Sequence, residues 1–220
     1  MSKYRYILFF TLCYMTIYSQ SESPLEQSRN DIIQSMTDVF ENTICDYYKI
    51  ETKNSHEAIK LFLTDSGEDF KDYNKFKKIV TPKATEKLNQ SLTELRDYIW
   101  ITKKQRRKKS GRLGLEEFDE TTLSQMTPRT IRYYKKMQSN DNDLVLNYFD
   151  KFSEKLMLES NNEDIIDLIL TFREVPNDYP SIIALALKDL TEKDFKNSSV
   201  KTFIAFELYY SYLNLQLQDE

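Results

Sequence analysis

The sequence predicts an all-α protein, an irregular bundle of about seven to nine helices, and three observations carry that prediction. Only three glycines and five prolines serve 220 residues, too few for turn-rich β folds or for Gly-rich phosphate loops. Apolar residues recur at spacings of three and four through most of the chain, not in alternation. Charged residues make up 30% and hydrophobic ones 40%, the balance of a globular chain long enough to bury a core.

Residues 1–20 read as a signal peptide that is removed on export. Lys3 and Arg5 form a positive start, Ile7 to Tyr18 an apolar core, and Ser19-Gln20-Ser21 a cleavage region. The apolar run is shorter than the roughly 20 residues of a membrane span; retention as an anchor is the alternative. Export places the mature protein in the periplasm or outside the cell. It also leaves Cys45 as the sole cysteine, so no internal disulfide is expected, and its place in a helical pattern suits a buried small hydrophobe.

The first mature helix spans residues 24–50 on Leu25, Ile32, Ile33, Met36, Val39, Phe40, Ile44 and Tyr47. Asn54 and Glu57 resemble a capping box opening a short helix over Ile59, Phe62 and Leu63, stopped at Gly67. Another follows over 68–80 on Phe70, Tyr73, Phe76 and Ile79. From Thr81 to Arg112 the pattern predicts one long helix. Thr81 is its N-cap, Pro82 its first residue, and Ala84, Leu88, Leu92, Leu95 and Ile99 its buried face; a basic end leads to Gly111 at the left-handed C′ position. Residues 111–127 read as a hinge or loop, which would divide the fold into an N-terminal lobe over 21–110 and a C-terminal lobe over 128–220.

Helix restarts at Thr127-Pro128, with Ile131, Tyr134 and Met137 on its apolar side. Asn140 to Asp143 then cap a helix running to about Ser160 on Leu144, Tyr148, Phe149, Phe152 and Leu156. Asn162 opens the next, over Ile165, Ile166, Ile169 and Phe172, which must end before Pro176. Pro180 starts a helix through Ile183, Leu187 and Leu190. The last, from about Ser199 to Leu217, is apolar on most sides, so it is either central to the core or half of an interaction surface. In the pairs Tyr47-Tyr48, Tyr133-Tyr134 and Tyr209-Tyr210, helical spacing sends one ring to the core and the other to its edge.

Charge segregation is the strongest functional signal. Without the leader the chain carries 29 basic and 35 acidic residues, a net −6. Between Lys103 and Lys136 eleven basic residues stand against four acidic ones, a net +7, which leaves −13 on the rest. The candidate binding residues are Lys103, Lys104, Arg106, Arg107, Lys108, Lys109 and Arg112, joined by Arg129, Arg132 and Lys136 beside Tyr133 and Lys135. Such a segment suits an acidic protein, a glycan or an anionic lipid head group, and an exported address excludes nucleic acid. The competing explanation is local: cations complement a helix C-terminus, and Glu116, Glu117, Asp119 and Glu120 can pair with them.

Other chemistry finds little support. His56 is the single histidine and sits at a helix start, so neither a multi-histidine metal site nor any cofactor is expected. Asp141 and Asp143 resemble the opening of a calcium loop, but no glycine stands sixth and Phe152 stands twelfth, so helix capping suits them better. Glu163 and Asp167 share a helix face and keep open a helical hydrolase working through two carboxylates. The sequence therefore reads as an exported, non-enzymatic helical interaction protein that meets an acidic partner through its basic central segment. The alternatives are that hydrolase, or an acidic inhibitor or immunity-type protein docking on a basic toxin.

Overall fold

The computed structural model describes residues 23–68, 73–112, 114–138, 140–174 and 180–218. The leader expected over 1–20 lies outside the described residues, as do Phe70 and Pro176. Among the described residues no helix is long and apolar enough to cross a membrane.

Helix α1 (Pro24–Tyr48) begins where Ser23 Oγ accepts the Glu26 N–H at 3.2 Å and ends at Lys49 in the left-handed conformation, φ 60°. It buries Ile32, Met36, Val39, Phe40, Ile44 and the free Cys45. A short 3₁₀ turn leads into α2 (Ser55–Glu68), and a single helical turn, Tyr73–Phe76, follows. Helix α3 (Pro82–Glu94) starts as the sequence indicates: Thr81 Oγ1 accepts the Ala84 N–H at 3.2 Å, with Pro82 in the first turn.

The long helix expected from Thr81 to Arg112 is broken. It stops at Leu95, turns through Asp97 at φ 64°, and continues as strand β1 (Trp100–Thr102). Strand β2 (Leu144–Leu146) pairs with it antiparallel, Ile101 opposite Val145. Trp-Ile-Thr is a strand-favouring run, and tertiary contacts decide for it. Trp100 is fully buried with Nε1 donating to Ser91 Oγ at 3.1 Å, and Asn147 Nδ2 donates to the Asp97 carbonyl at 3.0 Å. The helix expected from Asn140 to Ser160 is corrected by the same pairing. Leu144 belongs to β2, and α7 (Lys151–Ser160) opens only at Asp150, whose carboxylate accepts the Lys151 N–H.

After β1, Thr102 and Gln105 form a capping box that starts α4 (Lys103–Lys109), and Gly111 follows at φ 69°, the expected left-handed end. The stretch read as a hinge holds a 3₁₀ turn (Leu115–Glu117) and α5 (Glu120–Gln125), capped by Asp119. Next come α6 (Pro128–Gln138) before β2, then α8 (Glu163–Glu174) and α9 (Pro180–Ala186) beyond α7. The last element is one rod of α10 (Ser198–Ile204), a π-helical turn (Ala205–Tyr210) and α11 (Ser211–Gln218). The described residues thus hold eleven helices longer than one turn, more and shorter than expected: β1 splits one, α5 forms inside the expected loop, and the π-helical turn divides the rod.

The rod is the centre of the core. Every residue from Thr202 to Tyr210 is buried, which decides between the two readings of the last helix. Tyr209 and Tyr210 are both fully enclosed, so that pair departs from the one-in, one-out expectation; their hydroxyls donate to the carbonyls of Ile79 and Met36 at 3.2 and 2.9 Å. Phe40, Phe62 and Phe76 surround Tyr209 with ring centroids 5.5, 6.2 and 5.6 Å away. One continuous apolar cluster takes residues from α1, α2, α3, β1, α7, α8, α9 and the rod, so it draws on the chain from both sides of 111–127.

Candidate functional site

Helix α4 is Lys-Lys-Gln-Arg-Arg-Lys-Lys, and its short cylinder distributes those cations over two sides. One side meets the turn before β2. Lys103 Nζ lies 3.1 Å from Asp143 Oδ2, and the backbone N–H groups of Lys103 and Lys104 donate to the carbonyls of Asp143 and Asp141. Arg107, only 5% exposed, grips both carboxylate oxygens of Asp141 and reaches Glu116 Oε1 at 3.2 Å. Lys104 joins the same Glu116 at 3.4 Å, and Lys108 meets Glu117 at 3.5 Å.

The electrostatics follow from these partners. The hydrogen bond to Asp141 raises the Arg107 pKa above its ordinary value. Glu116 is held below the usual carboxylate value by its own backbone N–H, Gln138 and Lys104; Glu117 is lowered by the Gly114 N–H and Lys108. Gly114 sits inside this knot. A Cβ there would lie 2.5 Å from Glu116 Oε2, 2.6 Å from Gln138 Nε2 and 2.7 Å from Arg107 Nη2, so a side chain would displace hydrogen-bonded groups.

The knot fastens an arm to the body. Gln138, at the end of α6, donates to Glu116 and accepts the Leu115 N–H at 3.3 Å, and the Tyr134 ring stands edge-on to Phe118 at 5.4 Å. Helix α6 packs chiefly on the 115–117 turn. Its opposite side presents Arg129, Arg132 and Lys135 to solvent; the Tyr133, Lys136 and Met137 side chains lie outside the described residues. Of the remaining candidates, Lys109 is exposed, and Arg112, also exposed, donates to the Glu174 carbonyl at 3.0 Å.

Arg106 points elsewhere. It lines a small cleft between α4, β2 and the rod. Four polar side chains, each at least nine-tenths buried, line it: Arg106 at 6% exposure, Tyr148 and Glu207 at 4%, Asn214 at 2%. The π-helical turn carries Glu207, which accepts the Tyr148 hydroxyl, while Asn214 Nδ2 donates to the Leu144 carbonyl at 2.6 Å. Ser211 and the apolar Leu144, Ile183 and Leu215 complete the walls.

The structure therefore parts nine of the ten sequence-predicted cations, the Lys136 side chain lying outside the described residues. Lys103, Lys104, Arg107 and Lys108 face the chain's own carboxylates, Arg106 faces the cleft, and Lys109, Arg112, Arg129 and Arg132 lie at the surface. Asp141 and Asp143 are partners of Arg107 and Lys103, not helix caps. Sequence reasoning missed Glu207, Tyr148 and Asn214; the one available signal was a lone glutamate inside the apolar run from Phe203 to Tyr210.

Other candidate chemistry stays dispersed. His56 Nε2 is 3.9 Å from Glu192 and 4.0 Å from Glu57, at the surface of α2. Glu163 and Asp167 are both exposed on α8. Among the described residues, no group of three or more His, Cys, Asp or Glu side chains is placed to hold a metal ion. No protein-family model, curated protein or solved structure matches the chain.

Proposed function

We propose that this chain is an exported, non-enzymatic interaction protein that docks an acidic segment of a partner protein on the outer side of α6. One observation carries the reading: α6 holds Arg129, Arg132, Lys135 and Lys136 without a single acidic residue. Three of those cations are exposed, whereas Lys103, Lys104, Arg107 and Lys108 of α4 are engaged in internal pairs. Exposed cations of one sign steer and orient an acidic partner without needing a deep groove. A bilayer is a poorer fit, because Tyr134 on the apolar side of α6 is engaged with Phe118.

The test is salt-dependent binding of a polyglutamate peptide to two charge-neutralised variants. With Arg129, Arg132 and Lys135 all changed to Gln, binding should be lost. With Lys103, Lys104 and Lys108 changed to Gln, it should persist. Equal loss in both variants, or binding to anionic phospholipid vesicles but not to the peptide, overturns the proposal.

A further inference from the structure

We propose that the acidic partner of α6 is a second copy of this chain, which offers it the outer side of α8. The inference rests on the reading of α6 as a docking surface and names what docks there. Charge is divided within the chain, a net +7 from Lys103 to Lys136 against −13 on the rest without the leader. One copy is therefore an electrostatic complement of another.

Helix α8 supplies the matching face. Glu163, Asp167, Leu170 and Glu174 recur at spacings of four, three and four, which sets them in one stripe, and all four are exposed. Asp164 and Thr171 are exposed beside them, while Ile165, Ile169 and Phe172 are buried on the other side. The one cation of α8, Arg173, turns inward: Nε donates to the Tyr148 carbonyl at 2.5 Å and Nη2 to Ser153 Oγ at 3.2 Å. Neither the four carboxylates of α8 nor the side chains of Arg129, Arg132 and Lys135 have a hydrogen-bond or ion-pair partner among the described residues. Each face also carries one apolar residue, Leu170 at 45% exposure within the acidic stripe and half-buried Ile131 one turn before Lys135. Bringing these two together removes apolar surface from water, which exposed ion pairs alone would not do. One pair of helices buries less than the roughly 1,200 Å² of a stable interface, so the contact is weak, reversible and salt-dependent.

Sedimentation velocity of the full chain at several protein and salt concentrations tests the proposal. The wild-type chain should associate at roughly 100 μM in low salt and dissociate at about 0.5 M salt, where screening shortens the reach of charge to a few ångströms. Reversing α6 with Arg129→Glu, Arg132→Glu and Lys135→Glu should abolish association. So should reversing α8 with Asp167→Lys and Glu174→Lys. Neither variant should lower the melting temperature, because all five side chains are exposed. Mixing the two reversed variants should restore association, since opposite charges face each other again, and a folding defect could not be rescued in this way. A wild-type chain that stays monomeric, association that survives either reversal, or a mixture that stays monomeric overturns the proposal. A monomeric wild-type chain that still binds polyglutamate keeps α6 as a docking surface and removes only the second copy as its partner.

Discussion

Gly114 shows how much one missing side chain can hold together. Three groups from three elements, Arg107 Nη2, Glu116 Oε2 and Gln138 Nε2, occupy the space within 2.7 Å of where its Cβ would lie. In Gly114→Ala those hydrogen bonds must lengthen or break, at about 1–3 kcal/mol for partners left unpaired. The expected result is faster amide exchange across 115–138 with little change in the global melting temperature, measured by exchange mass spectrometry. Gly111 was legible in the sequence, because a basic run ending in glycine is a local helix-stop signal. Gly114 was not, because the groups that need its space include Gln138, far along the chain at the end of α6. Glu207 was hidden for a similar reason: its partner Tyr148 is 59 residues away.

At the scale of elements, the arm formed by 111–138 is attached by charges where the body is attached by apolar packing. Glu116 and Glu117 have carboxyl groups held below their ordinary values, by backbone N–H groups first and by Gln138, Lys104 and Lys108 after that. A folded-state value below the unfolded one means stability that is present above the unfolded value and lost as pH falls through the folded one. Acidification should therefore loosen the arm below the usual carboxylate range while the Tyr209 cluster stays packed. Two-dimensional amide spectra would show it: signals from 115–138 should shift and broaden first, and simultaneous loss of core signals would contradict it. Much of the element order was readable, including the starts at Thr81-Pro82 and Thr127-Pro128, because caps are local. The two helices cut short were misread because Trp100 to Thr102 and Leu144 to Leu146 suit either structure alone, and only their pairing across a long stretch of chain decides.

For the whole molecule, the all-α class followed from composition and period, and the basic segment was visible as charge. Its neutralisation was only half visible: Glu116 and Glu117 stand close in sequence, whereas Asp141 and Asp143 reach α4 from the far side of α6. Centrality of the rod was readable only as an ambiguity, since a helix apolar all round suits a core or an interface. The rod's position has a further consequence for how the chain is made. Helix α1 needs Tyr210 and Thr202 to cover it, and these are separated from their partners Met36 and Thr37 by 174 and 165 residues. On a translating ribosome the first helices emerge long before the segment that encloses them, so the core cannot close cotranslationally until Tyr210 has left the exit tunnel. A chain stopped at Asn197 should accordingly keep helical circular dichroism but lose cooperative thermal unfolding; a sharp melt would refute this. Until that last segment arrives, the nascent chain stays open, the state that a translocation channel threads and a holding chaperone recognises.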